Sequence, residues 1–103
     1  MASKMIIADG DLFSGGVVGK LEIHNSTGAD IRIKASGTGS CKVVGKLTAN
    51  DDYKVLDLVR LSDFTVTDTI TDNEIYAADV SGLSYVSLAN ASGFTKVFVR
   101  VTA

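Results

Sequence analysis

Residues 85–101 read YVSLANASGFTKVFVRV, and their alternation decides the fold class. Val97, Val99 and Val101 recur at every second position, with Lys96, Phe98 and Arg100 between them. That is the period of a pleated strand with one dry face and one wet face. Upstream, Tyr85 to Leu88 forms another strand-like run, and Asn90-Ala91-Ser92-Gly93 between the two has the composition of a compact loop ending in glycine. The stretch predicts a β-hairpin.

The same pattern extends to the rest of the chain. Leu21 and Ile23 alternate with Glu22 and His24, and Ser26-Thr27-Gly28-Ala29-Asp30 then turns the chain. Ile31 and Ile33 alternate with Arg32 and Lys34. Ser36 to Ser40, with Gly37 and Gly39, reads as a hairpin loop, because glycine adopts positive φ at little cost. Cys41 to Leu47 continues as a strand in which Gly45 marks a bulge or a close approach. Residues 50–61 fit two patterns. Asn50 suits a helix cap and Val55, Leu58 and Val59 have helical spacing, yet Tyr53, Val55 and Asp57 also alternate with Lys54, Leu56 and Leu58. Strands on both sides favour a strand here. A Thr-rich strand follows from Phe64 and Val66 to Ile70, then turns at Thr71-Asp72-Asn73 and Ser81-Gly82.

Short strands at spacings of roughly 8 to 12 residues are the signature of a sandwich or barrel. The expectation is an all-β fold: one small β-sandwich over residues 1–103, jelly-roll-like, with about eight or nine strands. Leu21, Ile23, Ile31, Ile33, Val66, Val97 and Val99 are its predicted core. Residues 1–13 stand apart, with Met5, Ile6, Ile7 and Phe13 around a polar Asp9-Gly10-Asp11 turn. They read either as an arm or exchanged strand that docks on a partner through those four apolar residues, or as the first strand of the protein's own sandwich.

Composition narrows the function. The chain has 103 residues, enough for one core, and a net charge of −2. Its ten Lys and Arg lie singly between apolar or small neighbours. Phosphate recognition needs clustered cations, so nucleic acid is not an expected partner. No segment approaches the roughly 20 apolar residues of a membrane span, and the N-terminus lacks a signal-peptide core. The single cysteine, Cys41, rules out a disulfide within one chain, which suits synthesis in a reducing cytoplasm.

Residues for chemistry are sparse. His24 is the only histidine, and one His with one Cys supplies neither an ordinary zinc set nor a nucleophile with its base. Asp9, Asp11, Asp51, Asp52 and the 68–74 acids are oxygen-rich, but they have no calcium-loop spacing and suit turns equally well. The SGTGSCK stretch has no helix after it, as a phosphate loop would require. There is no Trp, and Tyr53, Tyr76 and Tyr85 lie in strands, which suits core packing better than sugar stacking. The expectation is a non-enzymatic protein without metal or cofactor. The absence of proline leaves its strand edges to be covered by charge, by glycine or by other copies.

Residues 67–88 read TDTITDNEIYAADVSGLSYVSL, followed by Ser92-Gly93 and Val97-Phe98-Val99-Arg100-Val101. This part resembles small bacteriophage virion β-sandwich proteins, in which a Thr-rich strand, an Ile-Tyr pair, Asp-Val-Ser-Gly-Leu-x-Tyr-Val and a Val-rich closing strand follow one another. Glu74 stands where that pattern often has Gly. The resemblance covers residues 50–101. It implies a structural virion protein, as capsid decoration or head fibre, that contacts the major capsid protein or another virion protein. The uncovered strand edges add the expectation of homo-oligomers, with a trimer or a capsid-imposed array favoured over a free monomer. A carbohydrate- or receptor-binding module of a phage tail or baseplate is the alternative.

Overall fold

The computed structural model describes residues 6–23, 28–71 and 73–103. Those residues form nine strands and no helix: β1 (Ile6–Ser14), β2 (Val17–Val18), β3 (Lys20–Glu22), β4 (Asp30–Lys46), β5 (Lys54–Val55), β6 (Leu58–Arg60), β7 (Thr65–Thr67), β8 (Ile75–Asp79) and β9 (Tyr85–Thr102). All pairs are antiparallel. One path runs β2-β1-β9-β4-β8-β6-β7, with β3 added to β9 and β5 to β4. The ambiguous 50–61 region holds two short strands, β5 and β6, joined by irregular chain, and no helix.

Two expected hairpins do not exist. Ser36 to Ser40 and Asn90 to Gly93 lie inside β4 and β9, which run 17 and 18 residues without reversing. The two strands pair with each other from Asp30↔Thr102 to Lys46↔Tyr85, and both glycine-rich stretches fall at the same level of that ribbon. Here the glycines permit close approach instead of reversal. A Cβ on Gly39 would overlap the Ser92 carbonyl oxygen and stand 2.7 Å from the Phe94 nitrogen.

The ribbon also changes register at this point. The six steps along β4 from Ser36 to Lys42 face seven along β9 from Lys96 to Ala89. One extra residue reverses which side chains point inward. Accordingly Val97, Val99 and Val101 are buried at one end of β9 and Val86 and Leu88 at the other, while β4 keeps Ile31, Ile33, Ala35, Cys41 and Val43 inside throughout. Beyond the corner, the ribbon's flanking partners change from β1 and β8 to β3 and β5. One sheet thus closes over one core, which is the sandwich expected.

Of the predicted core, Ile23, Ile31, Ile33, Val97 and Val99 are buried, and Leu21 is half-buried. Val66 is not in the core and is 65% exposed. The pair Leu58↔Thr67 turns inward, with Leu58 fully buried, so the next pair, Val59↔Val66, is displaced to the outer face.

Residues 6–14 form a strand of the protein's own sheet rather than a free arm. β1 pairs with β9 from Ile6↔Thr102 to Ser14↔Lys96. A bulge between Asp11 and Phe13 turns both Leu12 and Phe13 into the core. Gly15-Gly16, with φ of 59° and 82°, then closes a two-residue hairpin to β2. Positive φ at both central positions is what the type I′ form of such a loop requires.

Candidate assembly surface

The four N-terminal residues expected to dock on a partner are divided by the structure. Met5 lies outside the described residues. Phe13 is buried, so it serves the core and offers nothing to a partner. Ile6 is 53% exposed and Ile7 is half-buried.

The chemically interesting side chains are dispersed. His24 and Asp72 lie outside the described residues. Cys41 is buried in the core beside the corner, and burial pushes its thiol up to about 11. Asp9 and Asp11 sit on the outer side of β1, near Arg100 (4.0 Å) and Lys96 (3.8 Å). Among the described residues, no three His, Cys, Asp or Glu side chains gather as a metal-binding group. Tyr76 is core. Lys46 Nζ lies 4.5 Å from the centre of the Tyr53 ring and 5.3 Å from that of Tyr85, and Lys20 Nζ lies 5.0 Å from the latter.

The most unusual local geometry is the loop joining β6 to β7. Arg60 grips Asp63 with two parallel hydrogen bonds, Nε to Oδ1 at 3.1 Å and Nη2 to Oδ2 at 3.0 Å. Thr65 N donates to the same Oδ1 at 3.1 Å, and Phe64 N donates to the Arg60 carbonyl at 2.7 Å. The Arg60 hydrogen bonds, followed by those from Thr65, hold the Asp63 carboxyl down to about 2. Within this clamp Phe64 takes a φ of 58° and remains 75% exposed. An aromatic side chain in that backbone region costs about 1–3 kcal/mol, and exposing it to water forgoes its burial. Two local rules are broken at one residue, which is where function is expected.

Phe64 stands beside Val66 at one end of the sheet path. At the other end, β2 consists of Val17, 69% exposed, and Val18, 46% exposed. Neither terminal strand contains a charged residue. Soluble proteins usually blunt open edges with Lys, Pro or bulges, and uncovered apolar edges pair with other chains. Neither end stands out in the sequence: Val17-Val18 is too short to show a period, and Phe64 and Val66 fit the pattern of a half-buried strand. The signal available was the Arg60-x-x-Asp63 spacing just before an aromatic residue.

No protein family and no curated protein matches the sequence. Solved structures do share its fold. The SPBc2 prophage-derived protein YomS superposes with a TM-score of 0.80 at 16% identity, over 100% of this chain and 97% of that one. The PBSX exported protein XepA gives 0.71 at 18% identity, over 100% of this chain but 39% of that one. This all-β architecture is therefore one that a prophage-derived protein and an exported protein also have.

Proposed function

We propose that this protein is a non-enzymatic structural component of a bacteriophage particle, made in the host cytoplasm and built into the virion. Its role is capsid decoration or head fibre, and its partners are copies of itself and the major capsid protein or another virion protein. The observation that carries this reading is the pair of apolar, uncharged sheet ends, Val17-Val18 and Phe64/Val66. The likeness to a prophage-derived protein over nearly its whole length supports it. Contact of β2 on one copy with β7 on the next is head-to-tail. Such contacts close into a ring, a trimer among them, when the rotation between copies closes, and into an open filament when it does not. Docking on the head through the N-terminal strand rests on Ile6 and Ile7, without Phe13.

The carbohydrate- or receptor-binding alternative has its own support. A cleft of about 420 Å³ lies beside Lys46 and its tyrosines, lined by Asp51, Asp52, Lys54 and three leucines, Leu47, Leu56 and Leu83. Particles of the phage encoding this chain, separated into heads and tails and probed with antibody, distinguish the two. Recovery with heads supports decoration. Recovery with tails supports the receptor-binding reading, and absence from particles overturns both.

A further inference from the structure

The ten cations are scattered in sequence, but the pleat of β4 and β9 brings four of them onto one outer face. Arg32 stands directly across from Arg100, Lys34 across from Phe98, and Ser36 across from Lys96. On the other side of β4, Lys34 faces Ile75 and Arg32 faces Ala77. Arg32, Lys34, Ile75, Phe98, Arg100 and the Ile33 backbone enclose a shallow groove of about 240 Å³. Like charges directly opposite one another on a sheet are destabilising, so an Arg–Arg pair here has a cost that folding does not require.

Compensation among the described residues is partial, and includes the Arg100 guanidinium lying 5.8 Å from the centre of the Phe98 ring. Asp9 approaches Arg100 at 4.0 Å and Asp11 approaches Lys96 at 3.8 Å, both pairs being solvent-exposed and weak. Arg32 makes one hydrogen bond, from Nη1 to its neighbour's carbonyl, Ile31 O, at 3.1 Å. Among the described residues Lys34 has no ion pair. The face is positive on a protein whose net charge is −2.

We infer that this groove binds an extended acidic segment of a partner protein, with the pattern acid-x-apolar-x-acid. Side chains two residues apart on a strand are separated by about 6.6 Å, both in β4 and in an extended peptide lying on it. One carboxylate meets Arg32 and Arg100, the apolar side chain settles between Ile75 and Phe98 beside Lys34, and the second carboxylate reaches Lys96. The apolar floor is what selects this occupant. A phosphate polymer satisfies the cations but leaves Ile75 and Phe98 facing water. This inference does not depend on where in a particle the protein sits.

The test uses the full chain and a fluorescein-labelled peptide, Glu-Ser-Leu-Ser-Glu, followed by anisotropy and by NMR shift mapping on the unaltered protein. Saturable binding that shifts the amides of Arg32, Lys34, Phe98 and Arg100 is expected. Arg32→Glu and Phe98→Ser should each weaken it about tenfold or more. Replacing the peptide's Leu with Ser should have a similar effect. Shifts confined to other faces, or an affinity indifferent to the Leu, overturn the inference. So does tighter binding of inorganic polyphosphate or oligo(dT) than of the peptide. Loss of self-association in Arg32→Glu, measured by light scattering, would overturn it too, by assigning the face to a second copy.

Discussion

Gly93 lies against Gly39 so closely that a Cβ on Gly93 would stand 2.9 Å from the Gly39 Cα and would collide with the Thr38 carbonyl oxygen. Both residues sit where β4 and β9 change register, so the corner that folds one sheet over one core depends on two backbones touching. Gly39→Ala should therefore cost about 3 kcal/mol, since neither facing strand can yield without losing its pairing. In a domain of this size that lowers Tm by roughly 12 °C or more. Gly15→Asn is the contrast: φ is 59° but no atom lies within 4 Å of the added Cβ, and Asn tolerates this conformation. Calorimetry on the two variants should show a large loss for the first and under about 1 kcal/mol for the second.

The fold class was legible because most of the buried side chains recur at every second position, as at Ile31/Ile33 and Val97/Val99. Chain reversal was less legible. Glycine clusters such as Ser36 to Ser40 serve a turn and a close approach equally well, and only the position of the opposite strand decides between them. Val66 was misplaced for a related reason: the inward register of β7 is set by Leu58 on its neighbour, not by its own residues. The functional surfaces were the least legible. Phe64 is unusual only once the clamp between Arg60 and Asp63 fixes its backbone, and the basic groove exists only after pleating aligns Arg32 with Arg100.

Phe64→Gly relieves a positive-φ residue while removing exposed apolar surface. Gly also adds freedom to the unfolded chain, which offsets part of the relief. The isolated subunit should keep its stability within about 1 kcal/mol or gain slightly, where an average substitution costs about that much. Denaturant titration at low concentration checks this. A loss above about 2 kcal/mol would mean that the Phe64 ring packs on its own subunit.

The Asp63 clamp gives a pH dependence of defined sign. The folded carboxyl is held below its ordinary value, so its contribution is fully present above the unfolded value near 3.8 and disappears as pH falls through about 2. The Phe64 and Thr65 amide signals should thus hold their neutral-pH positions at pH 4 and move between pH 3 and 2, as followed by NMR. In Asp63→Asn that acid transition should vanish.

Deleting residues 1–11 should unfold the protein instead of producing a folded subunit that fails to dock. The deletion removes the part of β1 that pairs with β9 from Ile6↔Thr102 to Asp11↔Phe98. It also uncovers one edge of β9. Circular dichroism and exchange protection of the β9 amides report the outcome, and a folded, protected truncation would return this segment to the role of an arm.

Mixing complementary variants shows whether the proposed assembly runs through the two apolar sheet ends. Light scattering should find a defined oligomer for the unaltered protein and monomers for Val18→Lys and Val66→Lys, each folded on its own. Mixing the two variants should restore one heterodimeric contact, because each retains the end that the other has lost, and should go no further. A monomeric unaltered protein at millimolar concentration, or variants that assemble as before, would contradict the account.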